Sequence, residues 1–130
     1  MRLAFKLWLD NGGKAFGDGP YDILKRVQDL GSLRKAAQEM GMSYSQAWEL
    51  IRRLEGRLGF PLLERKVGGS SGGGSSITPQ AQDLMQRYQA FRNEAEEMLD
   101  NLFNKYFSEP NPQVTGDIKR GATEKSRNLG

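Results

Sequence analysis

The sequence of 130 residues contains no cysteine and no histidine. These absences remove thiolate and imidazole, the usual protein ligands of zinc, and with them thiol nucleophiles and the most common general base. Acidic residues alone would have to supply any catalysis, and no acidic pair stands apart from ordinary surface charge. We therefore expect no enzyme activity, no bound metal and no cofactor.

Long apolar runs are also missing from the chain. No segment approaches the roughly 18 apolar residues of a membrane span, and the N-terminus has no signal-type apolar run. We therefore expect a cytoplasmic protein without a membrane partner. The length has room for one domain and a short appendage.

The charge of the chain is unevenly distributed. The formal net charge is +3, from 19 basic and 16 acidic side chains. Residues 1–78 carry 12 basic and 8 acidic side chains, whereas residues 79–107 carry 3 and 5. The positive charge thus lies in the first part of the chain, a balance compatible with a nucleic-acid partner.

An alternating pattern at the N-terminus predicts a β-hairpin. Residues 2–9 place an apolar side chain at every second position, the period of a half-buried strand. Residues 11–13 have the composition of a turn, and residues 14–16 would form the returning strand. Asp18 is suited to capping the helix that follows, with Pro20 in its first turn.

Three helices follow, predicted from apolar residues that recur three and four positions apart. Gly31 ends the first helix, and Ser32 and Gly41 bound the second. Ser43 opens the third helix in a capping box with Gln46. The predicted inward residues are Ile23, Leu24, Val27 and Leu30; Leu33, Ala36, Ala37 and Met40; and Ala47, Leu50 or Ile51, Leu54 and Leu58.

Residues 31–58 have the pattern that a helix-turn-helix requires. Ala37 is a small residue where the two helices would cross, and Gly41 stands four residues later, where the turn needs a positive φ. Apolar residues that would lock the second helix against the first are Met42, Ala47 and Leu50. A plain helical hairpin with a glycine cap is the alternative.

The second helix of such a motif, here residues 43–58, enters the major groove with its N-terminal outward residues. Gln46 has the donor and acceptor that pair with adenine, while Arg52 and Arg53 are expected at the DNA backbone. Glu49 either accepts a hydrogen bond from a cytosine amino group or is an ordinary solvated charge. The size of Trp48 favours a core position over a DNA contact.

Residues 62–67 read as a strand, and Ile77 with Thr78 as the next strand-like pair. Residues 68–76 between them contain only glycine and serine, which indicates either a flexible linker or the tip of a β-wing. Arg65 and Lys66 at its base would contact phosphates or are ordinary exposed strand charges.

Thr78 and Pro79 begin a long predicted helix over residues 79–107, about 43 Å in length. Its apolar residues are spaced alternately three and four apart, as in a coiled coil, so a partner helix is expected. The predicted dimerisation residues are Leu84, Tyr88, Phe91, Ala95, Met98 and Leu102. Residues 108–130 have little that could pack, and we expect a disordered tail.

Several of these stretches together resemble one known family. They are Phe16-Gly17-Asp18-Gly19, residues 31–37, Met42-Ser43-Tyr44-Ser45-Gln46-Ala47-Trp48, the glycine clusters at 68–69 and 72–74, and Thr78-Pro79. On these motifs, about residues 3–107 are similar to the N-terminal domain of the molybdate-responsive transcription regulators, the ModE family.

The resemblance implies an α+β fold, mainly α: a LysR-like winged helix-turn-helix over residues 1–78, with an N-terminal β-hairpin and a dimerisation helix over 79–107. It identifies residues 68–76 as the wing, and in the family the recognition helix and wing touch DNA. Family members continue into molybdate-binding domains where this chain has a short polar tail, so we expect no small-molecule effector to bind within it. The candidate DNA-binding residues are Arg34, Ser43, Tyr44, Ser45, Gln46, Glu49, Arg52, Arg53, Arg65, Lys66, Gly68, Gly69, Gly72 and Gly73.

The favoured hypothesis is a homodimeric, sequence-specific regulator of transcription that binds double-stranded DNA. The alternative is a protein-interaction module that has the same fold but uses its long helix and tail to hold a partner regulator. An apolar outer face on residues 43–53 would favour the alternative, whereas the polar and basic residues present there favour DNA.

Overall fold

The structure is a computed structural model that describes residues 1–66 and 74–108. Ala4–Glu94 form one compact unit, and of the other described residues Met1–Leu3 belong with residues 95–108 to a second. The class is mainly α with two small antiparallel hairpins, as predicted. In chain order the elements are β1 (Trp8–Asp10), β2 (Lys14–Gly17), α1 (Asp18–Leu30), α2 (Leu33–Glu39), α3 (Tyr44–Leu58), β3 (Leu63–Lys66), β4 (Gly74–Ile77) and α4 (Pro79–Phe107).

The N-terminal hairpin is confirmed, although its first strand is shorter than predicted. β1 pairs antiparallel with β2, with Leu9 opposite Phe16. Residues 2–7 keep the predicted alternation of half-buried and exposed side chains. They have no pairing partner because β2 ends at Gly17, where the chain turns into α1.

The turn of this hairpin is docked on the end of α3. The Asn11 side-chain amide donates to the Arg57 carbonyl at 2.7 Å, and the Arg57 guanidinium donates to the Gly12 carbonyl. A Cβ at Gly13 would run into the same guanidinium, and the φ of +139° there also favours glycine. The C-terminal end of α3 is thus fixed by contacts that no local sequence pattern indicates.

The core lies between the three short helices and the first part of α4. The residues predicted to point inward are buried or half-buried, and at the position left open Ile51 is buried while Leu50 is half-buried. The largest fully buried side chains are Phe16, Ile23, Leu24, Val27, Leu33, Ile51 and Leu62.

The helix-turn-helix geometry between α2 and α3 is also confirmed. Ala37 is buried, and its carbonyl accepts the Met42 amide at 2.9 Å. Gly41 has a φ of +70°, as the turn requires. The Ser32 hydroxyl accepts the Lys35 amide at 3.1 Å, capping α2.

β3 and β4 form the antiparallel pair predicted for the wing, with Arg65 opposite Ser75. The Ser75 amide donates to the Gly31 carbonyl at 3.0 Å, so the wing is attached to the turn before α2. A Cβ at Gly74 would stand 2.6 Å from that carbonyl, which explains the glycine. The predicted wing contacts Gly68, Gly69, Gly72 and Gly73 lie outside the described residues.

α4 has the predicted bounds, and the Thr78 hydroxyl caps it by accepting the Ala81 amide at 3.1 Å. One predicted dimerisation residue is wrong: Tyr88 is 2% exposed, with its ring 5.2 Å from that of Phe16. Its apolar surface is used inside its own subunit, which spacing alone cannot distinguish from a dimer seam. The predicted disordered tail lies outside the described residues, apart from Ser108.

Asp18 does not cap α1, contrary to the prediction. The cap position is Gly17, and the Asp18 carboxylate instead accepts from the Tyr88 hydroxyl at 2.6 Å and from Arg92 Nε at 2.8 Å. The Tyr88 hydrogen bond is the main cause that lowers the pKa of Asp18. Burial, and then the Asp18 carboxylate, raise the pKa of Tyr88 to about 12. This network ties the start of α1 to α4.

Across residues 1–66 and 74–108, no helix combines the length and the apolar character needed to cross a membrane.

Candidate nucleic-acid interface

α3 has one apolar and one polar face. Ala47, Ile51 and Leu54 are buried, so the opposite side of the helix points away from the core. The exposed residues of the cap and helix that were predicted to contact DNA are Ser43, Ser45, Gln46, Glu49, Arg52 and Arg53. The structure therefore brings these six predicted residues to one surface.

A row of stacked cations and rings runs along the edge of this face. The Arg34 guanidinium of α2 lies 4.1 Å from the ring centroid of Tyr44. The Tyr44 ring meets the Trp48 ring edge-on, with centroids 6.3 Å apart. The Arg52 guanidinium lies 5.7 Å from the Trp48 ring. These contacts hold the guanidinium groups of Arg34 and Arg52 beside α3, and the aromatic rings do not neutralise their charge.

Trp48 therefore has a role that sequence reasoning missed. It is half-buried against the core, as its size predicted, but it also supports Arg52. The signal was available, because Tyr44, Trp48 and Arg52 follow one another at intervals of four residues and so lie on one side of the helix.

Four cations elsewhere in the compact unit, Lys25, Arg26, Arg87 and Arg92, are paired with carboxylates. On α1, Arg26 donates to Asp22 at 3.0 Å and to Glu39 at 2.8 Å, which raises the pKa of its guanidinium. Among the described residues, no ion pair includes Arg34, Lys35, Arg52, Arg53 or Arg65. The helix-turn-helix surface thus keeps charge that an anionic partner would neutralise.

Ser43 and Gln46 form the predicted capping box. The Ser43 hydroxyl accepts the Gln46 amide at 3.0 Å, and Gln46 Oε1 accepts the Ser43 amide at 3.0 Å. Both side chains are exposed, but the acceptor oxygen of Gln46 is occupied by the backbone. Bidentate pairing of Gln46 with adenine would compete with this bond.

The wing contributes one described side chain to the candidate interface. Arg65 is exposed on β3 and has no carboxylate partner among the described residues. Lys66 is the last residue of β3, opposite Gly74, and its side chain lies outside what the structure describes.

α4 carries exposed apolar side chains on a second face. Leu84 and Ala95 are half-buried, and Leu84 packs against the core. Phe91, Met98 and Leu102, the other predicted dimerisation residues, are 53%, 61% and 51% exposed. Leu84, Phe91 and Met98 are seven residues apart, so helical periodicity places them along one stripe. We call Leu84, Phe91, Met98 and Leu102 the α4 stripe.

Residues 21–82 match the family model described as the bacterial regulatory helix-turn-helix protein, lysR family. The chain is 39% identical to the transcriptional regulator ModE of Haemophilus influenzae over 66 residues, which are 51% of this chain and 26% of that protein. It is 32% identical to the molybdenum transport protein ModE of Azotobacter vinelandii over 119 residues, or 91% of this chain and 43% of that protein.

A solved structure supports the fold. The BenM DBD/benA site 1 DNA complex matches with a TM-score of 0.50 and 21% identity, covering 68% of this chain and 94% of that chain. The chain spans less than half the length of the two ModE proteins. Residues 21–82 are thus similar to the helix-turn-helix of the lysR family, and the chain that carries them is similar to part of the ModE regulators.

Proposed function

We propose that this protein binds double-stranded DNA sequence-specifically, as a homodimer, and regulates transcription. The observation that carries the proposal is the outer surface of the helix-turn-helix, where Arg34 and Arg52 are stacked on rings and lack carboxylate partners among the described residues. Similarity to DNA-binding regulators agrees with it.

Phosphate binding is the first component of the proposed activity. A protein that neutralises phosphates with basic side chains releases condensed counterions, so its affinity falls as salt rises. α3 would lie in the major groove, with Arg52 and Arg53 at the backbone and Ser45 and Glu49 nearest the base edges. The wing, with Arg65 at its base, would add contacts beside the groove.

Dimerisation is the second component. The α4 stripe leaves large apolar side chains in water, and a second copy of α4 would bury them. Two recognition helices joined in this way would address half-sites about one helical turn apart, roughly 34 Å along the duplex.

In the protein-interaction alternative the long helix and the tail hold a partner regulator, and an apolar outer face on α3 would favour it. The exposed residues there are polar or charged, and the apolar exposure is on α4 instead. This distribution favours DNA at α3 and a protein, the second subunit, at α4.

Fluorescence anisotropy would test the proposal. A labelled duplex from the region upstream of the protein's own gene and a scrambled duplex are titrated at two salt concentrations. We expect tighter binding to the native duplex that persists at the higher salt. Equal binding to both duplexes would contradict sequence specificity, and no binding to either at low salt would favour the protein-interaction alternative.

A charge variant sharpens the same experiment. Arg52→Ala should weaken binding to every duplex and reduce the slope of log affinity against log salt by about 0.9, the value for one phosphate contact. Lys25→Ala is the matched control, because it removes a cation that is paired with Asp29 on α1. An unchanged slope for Arg52→Ala would mean that this guanidinium does not contact phosphate.

A further inference from the structure

Glu49 is a carboxylate in the middle of the cationic outer face of α3. It lies four residues after Ser45, on the side of the helix opposite the buried Ala47 and Ile51. Arg52 and Arg53 follow at the spacings that suit helical ion pairs, yet neither pairs with Glu49. The Arg52 guanidinium is instead stacked on Trp48.

A carboxylate at this position restricts what the helix can bind. It repels phosphate, so it opposes the sequence-independent part of DNA binding. In the major groove its favourable partners are the exocyclic amino groups, N4 of cytosine and N6 of adenine, because a carboxylate can only accept hydrogen bonds. Every other base edge offers only acceptors or a methyl group.

The neighbouring Gln46 is less available for base reading. Its Oε1 already accepts the Ser43 amide at 3.0 Å, and this bond satisfies an otherwise unpaired amide at the start of α3. Pairing with adenine would engage the same oxygen, whose orientation is fixed by the bond to the Ser43 amide. Glu49 lies one turn farther along α3 and is exposed, and no hydrogen bond to the start of the helix involves its side chain among the described residues.

We infer that Glu49 is the specificity-determining residue of the recognition helix. At one position in each half-site it selects, on the strand that it faces, a base with an amino group in the major groove, cytosine or adenine, over guanine or thymine. Gln46 then acts as a helix cap. The inference rests on the proposed function and adds to it the class of base that is read and the residue that reads it.

Selection from a random duplex pool tests the inference with a pair of variants. We expect the unmodified protein to enrich cytosine or adenine at one position of each half-site. Glu49→Ala should lose the preference at that position alone, so that the ratio of dissociation constants between base pairs falls from roughly tenfold or more to about one. Gln46→Ala should keep the preference while lowering the melting temperature by about 2–8 °C, because it loses the bond to the Ser43 amide but keeps the Ser43 hydroxyl cap.

Base analogues that lack only the exocyclic amino group test whether Glu49 contacts that group. Duplexes carry 2-pyrimidinone in place of the selected cytosine, or purine in place of the selected adenine. The unmodified protein should bind them roughly tenfold more weakly than the natural duplex, whereas Glu49→Ala should not discriminate. The base that shows the effect identifies cytosine or adenine as the target. Glu97→Ala, which removes an exposed carboxylate from α4, is the control for net charge.

The outcomes distinguish a failure of the Glu49 inference from a failure of the proposed function. If Glu49→Ala keeps the preference, or if loss of the amino group weakens both proteins equally, the inference is overturned while sequence-specific DNA binding stands. If Gln46→Ala loses the preference, Gln46 reads the base and the inference is also overturned. If the unmodified protein enriches no sequence, the proposed function fails together with the inference.

Discussion

The two halves of α4 share one sequence pattern and differ in what covers it. In the first half, within Ala4–Glu94, the residues Ala81, Met85 and Tyr88 are buried in the core. In the second half, Met98 and Leu102 are 61% and 51% exposed. Apolar periodicity thus indicates that a helix face needs a partner, but it does not say whether that partner is the same subunit or another.

The polar contacts show the same contrast. Tyr88 and Arg92 both bond to Asp18 at the start of α1, so the first half of α4 is held by hydrogen bonds as well as by packing. Of the charged residues of the second half, Glu97, Asp100 and Lys105 are exposed, and no ion pair among the described residues includes these three. We expect substitutions at the buried residues of the first half to act on folding, and substitutions on the α4 stripe to act on association.

The largest expected effect is in the buried half. Met85→Ala should lower the free energy of unfolding by about 2–5 kcal/mol, because it leaves a cavity beneath α4. Gln86→Ala, at the next and exposed position, should change it by less than about 0.5 kcal/mol. Urea denaturation at constant protein concentration measures both. Equal effects would mean that the first half of α4 is not part of the core.

The next effect is in the exposed half. Met98→Asp should raise the dissociation constant of the proposed dimer at least ~30-fold, or about 2 kcal/mol, because two carboxylates would be buried per dimer. The circular dichroism spectrum should keep its helical signal. Asn101→Asp adds the same charge to an exposed position that is not on the α4 stripe, and is the control. A dimer that survives Met98→Asp in sedimentation equilibrium would contradict the stripe.

The smallest expected effect is that of removing one hydrogen bond from the first half of α4 while its packing is kept. Tyr88→Phe keeps the ring but removes the donor to Asp18, and should lower the free energy of unfolding at pH 7 by about 1.5 kcal/mol. Dimerisation should not change, since Tyr88 is buried in its own subunit. If Tyr88→Phe raised the dissociation constant of the dimer and left the free energy of unfolding unchanged, Tyr88 would be a dimerisation residue after all.

The same variant has a pH signature. The pKa of Tyr88 is raised from 10.0 to about 12, so folding favours the neutral phenol. A raised pKa in the folded state stabilises the protein below the unfolded pKa, and this stabilisation is lost as the pH rises through the folded pKa. The difference in unfolding free energy between the unmodified protein and Tyr88→Phe should therefore narrow between pH 10 and 12. Urea denaturation at pH 9 and pH 11 measures it.

Local signals predicted most of the fold correctly. The glycine at the helix-turn-helix turn, Gly41, has the positive φ that its place in the pattern required, and the Ser43–Gln46 capping box formed as its spacing predicted. α4 begins at Pro79 and ends at Phe107, as predicted. These features depend on residues within one or two turns of each other, so the sequence contains their causes.

The errors concern residues whose partners are distant in the chain. Asp18 has the composition of a cap, but Tyr88, 70 residues away, supplies its hydrogen bond. Tyr88 has the spacing of a dimerisation residue, but its ring packs against that of Phe16 in β2. Stacking and burial depend on which elements meet, and helical spacing alone gives no distance between them.

The sequence by itself determined the order and type of the elements, the helix-turn-helix and the basic character of the first part of the chain. It did so because caps, turns and apolar periodicity act over a few residues. Only the tertiary structure decided which cations are neutralised and which half of α4 belongs to the core. It also decided that the Gln46 side-chain oxygen accepts a hydrogen bond from the Ser43 amide at the start of α3. Those outcomes depend on contacts between separate elements, and packing rather than propensity selects them.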